Sequence, residues 1–186
     1  MVRVKTEMRF SFPAVLAMIL CTDAKGTALM CLLACVLHET GHIAVMCAMG
    51  CPPEKITLYG GGMKLTGGGK NIPVIISGCA VNFMLFAAFY FLTEDYNLRL
   101  FGVINLLTGL FNLIPVQPFD GYNLLERIIT SFLSPEKIAA VLKWIEIVAC
   151  VAAAPVIVVF FLDGWVNFSS VVFLFYLFVV DIMEKM

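Results

Sequence analysis

Apolar residues in this chain come in long runs. They show neither the one-sided pattern of a soluble helix nor the alternation of a surface strand. Six runs stand out: about Phe10 to Cys21, Thr27 to Met49, Val74 to Leu92, Leu98 to Val116, Ile138 to Leu162 and Val166 to Val180. A helix needs about 20 residues to cross the hydrocarbon core of a bilayer. The first run is short for a span; Pro13 suits its first helical turn, and Thr22-Asp23-Ala24-Lys25-Gly26 closes it. Tyr122 to Phe132 has instead the mixed character of a short amphipathic surface helix. Ser134-Pro135-Glu136 reads as a helix start, with serine as N-cap and proline at the first helical position. The expected fold is all-α, a polytopic membrane protein with six transmembrane segments.

Gly50 to Pro73 breaks the pattern. Ile56-Thr57-Leu58-Tyr59 and Met63-Lys64-Leu65-Thr66 alternate, with Gly60-Gly61-Gly62 between them and Gly67-Gly68-Gly69 after. Two short alternating stretches around a glycine turn read as a small hairpin, and equally as a flexible loop.

Composition agrees with a membrane setting. The 186 residues are 61% hydrophobic and 13% charged, with a mean hydropathy of +0.98. Soluble domains are about half apolar and about a quarter charged. The length allows one domain, residues 1–186. A net charge of −1 argues against a nucleic-acid partner. The seven cysteines are odd in number, lack C-x-x-C spacing and mostly lie in apolar runs, so they read as small core hydrophobes. Met1 to Phe12 mixes Arg3, Lys5 and Arg9 with apolar residues and has no long apolar core before a small-residue cleavage site, so it does not read as a cleaved signal peptide.

Orientation follows from the basic residues. With the N-terminus in the cytoplasm, Arg3, Lys5, Arg9, Lys55, Lys64, Lys70, Arg127, Lys137, Lys143 and Lys185 lie inside, and Lys25 and Arg99 outside. That bias puts both termini, the glycine-rich loop and the Asp120 end of the fourth run in the cytoplasm.

The second run carries His38-Glu39-Thr40-Gly41-His42, and the chain has two histidines in all. Residues four apart share one helix face, so His38 and His42 can offer two imidazole nitrogens to one metal ion, with Glu39 within reach of a water on it. Two satisfied core histidines are the plainer reading of the same pair. Catalytic zinc commonly has three protein ligands and an open position. With no third histidine, a carboxylate is the usual substitute. Asp120, behind Pro115 and Pro118 and before Gly121, is the best placed. Irregular backbone near membrane depth belongs where it is buried in protein or lines a wet cavity. Zinc, one per chain, would lower the pKa of a bound water to about 7, and Glu39 would take its proton. Asn112 and Asn82 read either as oxyanion donors or as interhelical hydrogen-bonding groups. Glu146 in the fifth run and Asp181 at the end of the sixth read as functional charges or as interfacial ones. Gly60, Gly61 and Gly62 would let an extended substrate add as a strand to the free edge of the hairpin.

The H-E-T-G-H run, Ser77-Gly78-Cys79-Ala80-Val81-Asn82 and Asn112-Leu113-Ile114-Pro115-Val116-Gln117-Pro118-Phe119-Asp120-Gly121 resemble, in order and spacing, the three signatures of the site-2 protease family of intramembrane zinc metalloproteases. Six runs and a glycine-rich loop after the first signature are similar to the stage IV sporulation protease branch. The resemblance covers nearly the whole chain. It implies that His38, His42 and Asp120 bind zinc, that Glu39 is the catalytic base, and that the chain sits in a bacterial cell membrane. It also implies a membrane-tethered regulator as substrate, such as a transcription-factor precursor or anti-sigma factor, and membrane regulatory or inhibitor proteins as further partners.

Three departures stand out. Cys79 occupies the usual proline position of the second signature, and Tyr122 follows Asp120-Gly121 where that branch often has a second glycine. The chain stops at Met186, so the CBS domain with which such proteins often continue is not expected. The rival from another class is an inactive relative serving as a membrane-protein chaperone. Glu39 argues against it, because metal binding alone needs only the histidines. A metal transporter would spread polar residues over more spans.

Overall fold

The computed structural model describes residues 4–22, 26–59, 62–69, 71–117 and 119–162. Its elements run β1 (Lys5–Met8), α1 (Ser11–Thr22), α2 (Thr27–Ala48), β2 (Lys55–Tyr59), β3 (Gly62–Thr66), α3 (Ile72–Phe91), α4 (Tyr96–Asn112), α5 (Asp120–Ile129) and α6 (Pro135–Leu162). The chain is mostly helical, as the apolar runs predict.

Among the described residues two helices are long and apolar enough to cross a bilayer, α2 with 22 residues and α3 with 20. At about 1.5 Å per residue each reaches roughly 30 Å. Only 28% and 33% of their most apolar stretches are buried within the protein, far less than in the core helix of a soluble domain. Leu29, Leu33 and Val36 on α2 and Ile76, Met84 and Phe91 on α3 face outward, where lipid accounts for them and water does not. The first expected span, α1, has 12 residues and is too short to cross alone. α4 has 17 residues and α6 covers the fifth run. The sixth run, with Asp181, lies outside the described residues.

α3 is the middle of the helical unit and packs against both α2 and α4. Ala34, Phe101 and Ile104 form a buried cluster closed by Met30, Leu37, Phe89 and Leu100. Where α2 and α3 cross, glycine sets the distance. A Cβ on Gly41 would stand 2.9 Å from the Ser77 carbonyl oxygen, and one on Gly78 would stand 2.7 Å from His38 Nε2. Small residues let membrane helices approach closely enough to share hydrogen bonds.

α2 stops at a Schellman motif. Gly50 takes a left-handed φ of 72°. Its N–H bonds to the Cys47 carbonyl at 3.0 Å, and Cys51 N–H bonds to Met46 O at 2.9 Å. Pro52 and Pro53 cannot continue the helix, and the chain turns into β2. The hairpin reading holds: β2 and β3 pair antiparallel, from Lys55↔Thr66 to Tyr59↔Gly62. The sequence did not predict β1, which pairs parallel to β2 from Lys5↔Lys55 to Met8↔Leu58. β2 is therefore the central strand, and among the described residues β3 keeps an open outer edge. Glu7 bonds Lys55 at 2.7 Å across the β1–β2 pair. That hydrogen bond is the main cause holding its carboxyl below the usual range.

Candidate metal centre

His38 and His42 lie one turn apart on the buried face of α2, toward α3. Their rings meet edge to face, with centroids 4.8 Å apart. Each ring turns its Nδ1 to an oxygen. His38 Nδ1 is 2.7 Å from Asn82 Oδ1, and His42 Nδ1 is 2.7 Å from the Val74 carbonyl. Ser77 Oγ donates to the same carbonyl at 2.6 Å and lies 3.3 Å from His42 Nδ1.

These partners assign the tautomers. A carbonyl oxygen can only accept, so His42 Nδ1 carries the hydrogen. Asn82 is fully buried, and its amide nitrogen donates to Asn105 Oδ1 at 3.0 Å and to Ala34 O at 3.4 Å. Asn105 in turn donates to Phe101 O at 2.8 Å. The chain of amides has one direction, so Asn82 presents its oxygen to His38, whose Nδ1 must donate. Both Nε2 atoms are then bare lone pairs.

Those lone pairs converge with Asp120. His38 Nε2 and His42 Nε2 are 3.2 Å apart, and each is 3.0 Å from Asp120 Oδ2. A lone N–H···O bond would shorten one edge and lengthen the others; three near-equal edges fit a cation held among the atoms. Tetrahedral bonds of zinc to nitrogen and oxygen predict ligand–ligand edges of about 3.3 Å. The residues present fit a zinc ion.

Asp120 reaches the histidines because the chain between α4 and α5 folds on itself. Gly121 presses against the carbonyls of Leu113 and Ile114, where a Cβ would collide with backbone. The loop is closed by Val116 N–H to Ile114 O at 2.8 Å and Phe119 N–H to Val116 O at 3.0 Å. Asp120 is the first residue of α5, where a carboxylate also favours the helix dipole. Cys79 is buried beside it, its Sγ 3.9 Å from Asp120 Oδ2. His38, Cys79 and Asp120 each bring a ligand atom within 4.8 Å of the others.

The other expected site residues fall as follows. Glu39 is half-buried on α2, next to His38. Asn82 stands behind His38 with its amide engaged on three sides. Asn112 donates to Thr108 O of its own helix at 3.0 Å. Gly62 opens β3, while Gly60 and Gly61 lie outside the described residues. Sequence reasoning missed Asn105 and Ser77 as supports of the histidines. A lone amide in the apolar α4 run was the available signal for Asn105, since buried amides need partners.

The chain matches no protein-family model. It is 37% identical over 117 residues to a Synechocystis sp. protein provisionally named a zinc metalloprotease, covering 55% of this chain and 31% of that protein. It is 32% identical over 123 residues to a zinc metalloprotease of Methanocaldococcus jannaschii, covering 56% of this chain and 35% of that one. The chain thus spans about a third of the length of the curated relatives it matches. The solved site-2 protease from Methanocaldococcus jannaschii superposes with a TM-score of 0.57 at 22% identity, over 76% of this chain and 74% of that chain. The two share a fold.

Proposed function

We propose that this chain is the membrane-embedded core of a zinc metalloprotease of the site-2 type, hydrolysing peptide bonds of membrane-tethered regulatory proteins within or near the bilayer. The carrying observation is the triangle of His38 Nε2, His42 Nε2 and Asp120 Oδ2, with the H-E-x-x-H glutamate beside it. Similarity to zinc metalloproteases and the shared site-2 protease fold support the same reading.

His38, His42 and Asp120 would hold one zinc ion. When bound, zinc supplies Lewis acidity that polarises the scissile carbonyl and makes water acidic enough to attack near neutral pH. Glu39 accepts the proton of the attacking water and delivers it to the leaving amine. Asn82 and the Val74 carbonyl keep both imidazoles in the tautomer that offers Nε2. Burial of the histidines among α2, α3 and α5 limits bulk water at the reacting carbonyl.

A helical substrate must become extended before its carbonyl is reachable, and extended backbone in a membrane needs replacement hydrogen-bond partners. The outer edge of β3 offers them. β2 does not, because β1 and β3 occupy its two sides. The six-span topology with cytoplasmic termini rests on the basic-residue bias. The sporulation-type branch rests on the motif arrangement, and with it come a bacterial membrane and regulatory or inhibitor partners.

The test is co-expression with candidate membrane-tethered transcription factors, comparing the native chain with Glu39→Gln. Loss of cleavage by about a hundredfold or more is expected, with zinc retained, because glutamine keeps the shape but cannot accept the proton. Near-native cleavage by this variant removes Glu39 from the mechanism.

A further inference from the structure

Glu146 sits inside an apolar stretch of α6, between Ile145 and Ile147. The hydrogen-bond partner of its carboxylate points to a role for it. That partner is backbone. Glu146 Oε1 accepts from the Gln117 N–H at 3.1 Å, joining α6 to the loop that delivers Asp120.

The loop explains why the contact matters. Pro115 and Pro118 have no N–H to give. The N–H groups of Leu113, Ile114, Val116 and Phe119 bond to the carbonyls of Leu110, Phe111, Ile114 and Val116, all within α4 or the loop itself. The Gln117 N–H alone among these five reaches another element, and it lies three residues before Asp120. Without that acceptor the exposed N–H would turn to water, and the loop would lose this tie to α6. The loop is otherwise anchored by the close seat of Gly121 on Leu113 and Ile114, beyond Asp120 in the chain. The Glu146 contact fixes it on the near side.

We infer that Glu146 is a positioning residue for the metal ligand: its carboxylate, reaching from α6, holds the chain at Gln117 so that Asp120 is presented to His38 and His42. Displacement of α6 is thereby coupled to the affinity of the metal centre. The inference rests on reading those three residues as a metal site.

The test uses the full chain in detergent and measures Co2+ and Zn2+ affinity by competition with a chelator, together with the visible absorption of bound Co2+. Glu146→Gln keeps an acceptor oxygen at the same reach and is expected to bind both metals like the native chain. Glu146→Asp keeps the charge but falls short of Gln117, and Glu146→Ala loses the acceptor. Both are expected to weaken binding on the order of tenfold or more, the usual scale for groups that orient a ligand, and to alter the Co2+ spectrum. Native affinity in Glu146→Asp and Glu146→Ala overturns the inference, while the metal site stands. Native affinity in Glu146→Asp with loss in Glu146→Gln overturns it too, because charge and not reach would then act. Absence of metal binding in the native chain overturns the site itself and this inference with it.

Discussion

Asn82 accepts a hydrogen bond from His38 at 2.7 Å across 44 residues of chain, and through that bond the interior of α3 and α4 fixes the chemistry of α2. The direction runs from the Phe101 carbonyl through Asn105 and Asn82 to the imidazole. Each amide has one way to point, so His38 has one tautomer. Asn82→Ala is expected to leave Nδ1 unpaired and weaken zinc affinity about 10- to 100-fold. Asn82→Asp, which keeps an acceptor toward His38, is expected to retain more. Chelator competition measures both, and equal affinity in Asn82→Ala and the native chain would sink the tautomer argument.

Metal content tests the triangle directly. Purified protein is expected to carry about one zinc per chain. His38→Ala combined with His42→Ala removes two of three ligands and is expected to abolish it. Asp120→Ala leaves two nitrogens and is expected to bind weakly. Unchanged zinc in the double variant would assign the metal elsewhere.

Gly78→Ala is the smallest change expected to disturb the site. The added methyl would stand 2.7 Å from His38 Nε2, the atom that faces His42 and Asp120. Overpacking of this kind costs about 1–3 kcal/mol, and here the atom that must move is a proposed metal ligand. Zinc affinity should fall more than thermal stability does. Loss of stability with intact zinc affinity in the folded fraction would show that α3 can shift without disturbing the imidazoles.

The β3 edge can be tested by proline. N–H groups of an edge strand alternate between the partner strand and the open side. Proline at Lys64 and proline at Leu65 therefore separate the two directions. One is expected to damage the hairpin. The other is expected to cut cleavage while zinc and the β2–β3 pairing persist. If both leave cleavage unchanged while Asp120→Ala abolishes it, β3 does not hold the substrate.

Much of this was legible in the sequence, for local reasons. Apolar run length marked α2 and α3 as helices long and apolar enough to cross a bilayer, because a bilayer sets a minimum length. The break in pattern at Gly50 marked the end of α2, and the structure closes the helix there with Gly50 at positive φ. The i, i+4 spacing of His38 and His42 determined that they share a face, and alternation around the glycines pointed to β2 and β3. The length of four of the runs did not by itself say which cross: α1 forms only 12 helical residues. β1 was invisible because its four exposed residues, Lys5-Thr6-Glu7-Met8, carry no apolar pattern and gain their structure only from β2.

The site divides along the same line. Sequence chose Asp120 as third ligand by elimination, but its arrival 82 residues from His38 depends on the packing of α5 and the closure of the 113–119 loop. Asn82 was left between two roles, since spacing says nothing about which way an amide points. Asn105 drew no attention, and Ser77 stood only as part of a motif, with no role as a support of His42. Periodicity encodes the face a residue takes on its own helix. The partner that it meets there is decided by helix-to-helix contact, and a buried donor or acceptor acquires its role only when that contact excludes every alternative.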